Sequence, residues 1–158
     1  MPKQPKISAG LLLFRRGGRL EVFLAHPGGP FWSKKDAGAW TIPKGELDPD
    51  EEKLAAAERE FEEETGIKPH GPFIPLGRVT QKSGKIVHAW AWEGDADPAT
   101  ITCNEIRIEW PKGSGRWIEC PEVDRCEWFE PAAARKKINP AQIPFIERLE
   151  ATIPLKPS

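Results

Sequence analysis

Tyrosine is absent from this 158-residue chain, methionine occurs once and cysteine three times. Cys103, Cys120 and Cys126 are odd in number and form no CxxC pair, so neither a disulfide framework nor a zinc ribbon is indicated. His26, His70 and His88 are scattered without ligand spacing, which gives no reason to assign them a metal. No apolar run approaches the ~18 residues of a membrane span. The start, Met1-Pro2-Lys3-Gln4-Pro5-Lys6, lacks the apolar segment of a secretory signal. These absences predict a cytoplasmic protein with reduced thiols and no membrane partner. Net charge is also missing: 23 Lys and Arg against 24 Asp and Glu leave −1. That argues against a broad basic surface for duplex nucleic acid, yet leaves room for a local cationic pocket that takes phosphates.

The chain does have the makings of a core. Hydrophobic residues make up 39% and charged residues 30%, which excludes general disorder. A chain of this length can bury roughly 68–70% of its unfolded surface without a staple. The expectation is one domain over residues 1–158, present as a monomer or homodimer. Fourteen glycines and 17 prolines predict many defined loops.

Residues 8–14 and 20–25 are apolar runs around the turn Arg15-Arg16-Gly17-Gly18-Arg19, a hairpin pattern. Residues 26–39, rich in Pro, Gly and aromatics, read as a long loop, and 40–45 as a short strand. Asp48-Pro49-Asp50-Glu51 supplies a capping side chain, a first-turn proline and a third-position glutamate, so a helix is expected from about 49 to 65, closed by Gly66. Strands are expected over 73–79, 86–92, 101–110 and 127–129, and helical segments over 131–137 and 141–151. The order strand, helix, several strands, helix predicts an α/β mixed sheet with packed helices and excludes a repeated doubly wound pattern.

The chemistry is concentrated on the helix ending at Thr65. At 100° per residue Glu60, Glu63 and Glu64 share one face, while Leu54 and Phe61 share another. The pair Glu60 and Glu64 repels at i,i+4, and both sit where the helix dipole disfavours anions. A cation is the natural compensation. An all-oxygen set suits Mg²⁺ or Mn²⁺, ions that keep several waters and bind phosphates at the same time. Such an ion can lower the pKa of a bound water and neutralise a phosphate under attack. The plain alternative is a solvated acidic face.

The surrounding residues decide against that alternative. Gly45, five residues, Glu51, seven residues, Arg59-Glu60-Phe61, one residue, Glu63-Glu64, one residue, Gly66-Ile67 resembles the Nudix box at every specified position. The resemblance is to the Nudix hydrolase family and is sharp over 45–67. It implies an α/β/α sandwich and Mg²⁺-dependent hydrolysis of a nucleoside diphosphate linked to another group. By position it implies that Glu63 and Glu64 are metal ligands, that Glu60 is a ligand or the water-activating base, and that the Gly45 carbonyl is a further ligand. Arg59 is similar to the arginine that orients these carboxylates. Glu51 is open between a cap for the helix start and an outer metal contact. Phe61 and Ile67 read as core.

Outside the box the resemblance implies a glutamate on a later loop; of Glu105, Glu109, Glu119 and Glu122, the last is favoured by its place ahead of Trp128-Phe129. Lys44 is open between holding a phosphate and an ordinary surface role. Trp32, Trp90, Trp92 and Trp117 could stack a base, although Ile86, His88, Trp90 and Trp92 alternate onto one strand face, which favours a packing role for most of them. Trp40-x-x-Pro43-Lys44-Gly45 resembles the box entry of dinucleoside polyphosphate hydrolases. Against this, the missing tyrosine departs from several of those subfamilies, and Lys82 stands where many ADP-ribose pyrophosphatases have proline. The expected substrate is a small nucleotide, a dinucleoside polyphosphate or a (deoxy)nucleoside triphosphate. The alternatives are a nucleotide sugar or ADP-ribose, a triphosphorylated RNA end, or a binding module without catalysis. The stretch 110–117 is longer than a tight hairpin needs and could shape a pocket.

Overall fold

The structure is a computed structural model and describes residues 5–153; the extreme amino terminus read above for a secretory signal lies partly outside them. Strands β1 (Ile7–Arg16) and β2 (Leu20–Pro27) form the expected hairpin, with Phe14 opposite Val22. β1 is a nearly continuous apolar run because both of its faces are covered. Leu12 and Phe14 point into one buried cluster, and Ala9, Leu11 and Leu13 into the other.

The remaining strands are β3 (Lys44–Glu46), β4 (Ile74–Thr80), β5 (Ile86–Glu93), β6 (Glu105–Glu109), β7 (Trp117–Pro121) and β8 (Val123–Phe129). The main sheet runs β4-β5-β1-β2-β8, with β3 also pairing with β1. β1 and β5 are parallel and the other pairs antiparallel, which makes the sheet mixed, as expected. Helix α1 (Lys53–Thr65) covers one face through Ala56, Ala57 and Phe61. Helices α2 (Pro131–Lys137) and α3 (Ile143–Thr152) cover the other through Ala134, Phe145, Ile146 and Leu149. The result is the anticipated α/β/α sandwich. Among the described residues no helix is long and apolar enough to cross a membrane.

Several boundaries differ from the sequence reading. α1 begins at Lys53 and not near 49, because Asp48–Glu51 closes into a turn of its own: the Glu51 amide donates to the Asp48 carbonyl at 3.0 Å, and Asp50 takes φ 62°. An aspartate tolerates that left-handed conformation through its short polar side chain. The strand expected over 40–45 is reduced to β3, with Trp40 and Thr41 in isolated bridges. Residues 101–104 leave the expected strand to lie across the end of α1, where Thr102 and Asn104 amides donate to the Thr65 and Glu63 carbonyls. β7 was not anticipated, and β8 starts four residues before its expected position. The 110–117 stretch is the tip of the β6–β7 hairpin, a separate two-stranded sheet.

Candidate active site

β3 lies against the start of β1, pairing Gly45 with Ala9 and Lys44 with Gly10. Gly10 permits this approach, since a Cβ there would run into the Pro43 carbonyl. α1 packs over β1 and β3, and its Glu60 carboxylate rests directly on Gly45, in space that a Cβ on Gly45 would fill. The loop-helix unit therefore joins the two ends of the motif through one glycine.

Glu60 and Glu64 are 8% and 4% exposed, unusual values for carboxylates. The Lys44 amide donates to Glu64 Oε1 at 3.2 Å. Arg59 organises the rest: Nη1 donates to Glu60 at 2.8 Å and to Glu63 at 3.3 Å, while Nε and Nη2 form a two-pronged pair with Glu51 at 2.8 Å. Nη2 also reaches the Glu46 carbonyl at 3.3 Å. The i,i+4 bridge expected between Arg59 and Glu63 is present. Glu51 does make the anticipated contact with the Asp48 amide, at 2.9 Å, but in the turn ahead of the helix, where Arg59 holds its carboxyl down at about 2.

Glu122 joins this cluster from the one-residue break between β7 and β8. Its amide donates to the Asn104 carbonyl at 3.1 Å, and its own carbonyl accepts from Gly28 at 3.0 Å. Asn104 thus connects the backbones of Glu63 and Glu122, a relationship without any local sequence signal. Burial pushes the carboxyls of Glu64, Glu60 and Glu122 upward. For Glu64 the charges of Glu122 and Glu60 add to that push while Lys44 opposes it; Glu63 acts likewise on Glu122. The Lys44 ammonium is shifted down by burial and then by Lys85.

Buried, mutually repelling oxygens are the donor set a hard divalent cation requires, so these residues fit Mg²⁺ or Mn²⁺ by chemistry. Among the described residues no three acidic, histidine or cysteine side chains stand ready-made around one cation position. Arg59 supplies the positive charge next to Glu60 and Glu63, and Glu64 is drawn toward Lys44.

Beside Lys44 opens a groove of about 480 Å³, lined also by Trp32, Thr41, Gln81, Asn139 and Gln142. Trp32 and Lys44, expected to touch substrate, are therefore together. Trp90 is not with them: on β5 it packs against the cluster under α1, as does Trp92, which meets Phe61 edge-on. Trp117 is exposed on the β6–β7 hairpin with Arg107 over its ring. Sequence reasoning missed Gln81, Asn139 and Gln142, whose polar amides are ordinary until folding gathers them.

The sequence profile of the NUDIX domain matches residues 4–149. This chain belongs to the NUDIX family. Within it, the chain is 35% identical over 98 residues to the rat bis(5'-nucleosyl)-tetraphosphatase [asymmetrical], a match covering 58% of this chain and 63% of the rat protein. The chain thus spans less than two-thirds of that relative's length. It is 26% identical over 123 residues to the CTP pyrophosphohydrolase of Escherichia coli strain K12, covering 77% of this chain and 78% of the relative. A crystal structure of a C. elegans Ap4A hydrolase binary complex superposes on this NUDIX chain with a TM-score of 0.65 at 22% identity, over 91% of this chain and 96% of the other, a likeness of fold.

Proposed function

We propose that this NUDIX protein is a divalent-metal-dependent pyrophosphohydrolase that cleaves a nucleoside diphosphate linked to a second group, with a dinucleoside polyphosphate or a (deoxy)nucleoside triphosphate as substrate. One observation carries the reading: Glu60, Glu64 and Glu122 are all at least partly buried and their charges oppose one another, with Glu60 packed on Gly45 and Glu64 held by the Lys44 amide. A fold gains no stability from such a cluster, which points to a cation and an anionic ligand. The relatives named for tetraphosphatase and CTP pyrophosphohydrolase activity support the substrate class.

Glu60, Glu63, Glu64 and the Gly45 carbonyl would hold Mg²⁺ or Mn²⁺. When bound, that ion supplies charge neutralisation at the phosphates and acidifies coordinated water. Arg59 keeps Glu60 and Glu63 oriented and spares Glu64 its charge. Lys44, desolvated by burial on the lining of the groove, binds a phosphate oxygen. Glu122, raised by burial, accepts the proton of the attacking water, since its altered carboxyl is a better base than an exposed one.

The test is a panel of diadenosine polyphosphates, nucleoside triphosphates and nucleotide sugars incubated with Mg²⁺, with products identified. Turnover that disappears in EDTA and drops at least ~100-fold in Glu63→Gln supports the reading. A Glu63→Gln protein with full metal-dependent turnover refutes the site, and no hydrolysis anywhere on the panel favours a non-catalytic nucleotide-binding module.

A further inference from the structure

The groove beside Lys44 has a hydrogen-bonding polarity that follows from one backbone amide. Gln142 is fully buried. The Ile42 N–H, which can only donate, lies 3.0 Å from one end of its carboxamide, so that end is the oxygen. The other end is therefore the NH₂, and it donates to Thr41 Oγ1 at 2.8 Å and to the Gln81 carboxamide at 2.9 Å. The Gln81 atom receiving that bond has to be its oxygen. Gln81 is left with its own NH₂ directed away from Gln142, on the groove wall.

Asn139, on the same wall, obeys the same logic. Its side-chain oxygen accepts from the Ala141 N–H at 3.0 Å, so its NH₂ remains for the groove. Neither NH₂ has a partner among the described residues. Together with the Lys44 and Lys82 ammonium groups they make the free amide and charged groups on this groove donors, while the Ser83 hydroxyl can donate or accept and Thr41 Oγ1 is taken by Gln142. Trp32 closes the groove with an aromatic surface.

We propose that Gln81, locked by Gln142, is the residue that selects the base of the nucleotide, favouring bases with exocyclic carbonyl oxygens (guanine, uracil) over adenine. Adenine keeps ring-nitrogen acceptors but has no carbonyl, and where guanine and uracil carry an exocyclic oxygen it carries an amino group, a donor facing donors. Stacking on Trp32 is tolerant of any base and cannot discriminate, so selection falls to the amides. This rests on the pyrophosphohydrolase reading only for the assay by turnover; the base preference itself is a property of binding.

Gln81→Glu is the informative variant. One carboxylate oxygen still accepts from Gln142 Nε2, so the network and the melting temperature are retained, while the other oxygen turns the groove wall from donor to acceptor. Two measurements are made on wild type and variant: kcat/KM for GTP, UTP and ATP with Mg²⁺, and calorimetric affinities for GMP, UMP and AMP. Wild type is expected to prefer the carbonyl bases by about tenfold, the scale of one hydrogen bond. In Gln81→Glu, KM for GTP and UTP rises by about tenfold at unchanged kcat, and the preference shifts to adenine. Equal wild-type affinity for GMP, UMP and AMP overturns the proposal, as does a variant that weakens all three alike. If no nucleotide is hydrolysed, the enzymatic reading fails and the calorimetric ratios alone decide the base preference.

Discussion

The amide of Lys44 donates to Glu64 Oε1 at 3.2 Å, joining two residues 20 positions apart through a group that no side-chain substitution removes. This bond holds Glu64 at the buried edge of the carboxylate cluster, 4% exposed, where burial and the charge of Glu122 raise its carboxyl well above the ordinary value. Folding therefore assembles an electrostatic conflict beside a fixed donor.

Glu64→Gln retains the acceptor for Lys44 and deletes the conflict. The metal-free variant is expected to melt a few degrees higher at neutral pH, about 1 kcal/mol, while turnover falls at least ~100-fold. The sign with pH follows from the raised carboxyl: the folded state binds that proton more tightly than the unfolded chain, so wild-type stability declines as pH rises through the raised value. The Gln variant loses that decline. Calorimetry across pH without metal checks both points, and a lower melting temperature for the variant contradicts the argument.

Gly45→Ala places a methyl group where the Glu60 carboxylate sits. The obstacle is the far end of a side chain, which can swing aside, so the fold is expected to lose little, roughly 1 kcal/mol. Activity depends on Glu60 staying there and should fall by more than ~10-fold. Parallel melting and rate measurements separate the two effects.

Glu51 and Arg59 stabilise in one pH range only. With its folded carboxyl held near 2 against an ordinary 4.5, Glu51 contributes fully above about 4.5 and loses that contribution as pH falls toward 2. Urea titrations should find Glu51→Gln less stable than wild type at pH 7, by about 1 kcal/mol for a partly exposed pair. The difference should vanish near pH 2. A gap that is constant with pH would mean that charge is not its source.

His26 ties the long loop to β8, with Nδ1 at 2.9 Å from Asp124 and Nε2 at 2.6 Å from the Lys35 carbonyl. Its ring also meets Trp40 edge-on. His26→Phe preserves the ring packing and removes both hydrogen bonds, with an expected loss of about 1–3 kcal/mol. Because Trp32 is carried on that loop, KM should rise more than kcat falls. An unchanged KM would separate the loop from substrate binding.

Much of this was legible in order along the chain. The period of α1 put Glu60, Glu63 and Glu64 on one side and Phe61 in the core, the i,i+4 spacing anticipated the Arg59–Glu63 bridge, and Gly66 ended the helix in the left-handed conformation it was expected to take. The helix start was misread because Asp48–Glu51 satisfied a capping pattern that the chain used for a separate turn. Trp90, on an alternating strand face, and Trp32, in the long loop, were both candidate stacking residues until folding packed Trp90 against the cluster under α1 and set Trp32 at the groove.

The sequence alone carried the acidic helix and the family resemblance, which in turn implied the sandwich, since periodicity and the spacing of the motif are local to 23 residues. Tertiary structure alone decided that Glu122 reaches the cluster through Asn104 and that Gln142 orients Gln81. Those relationships are contacts between distant segments, and a carboxamide has no preferred direction until a backbone amide from another part of the chain meets it.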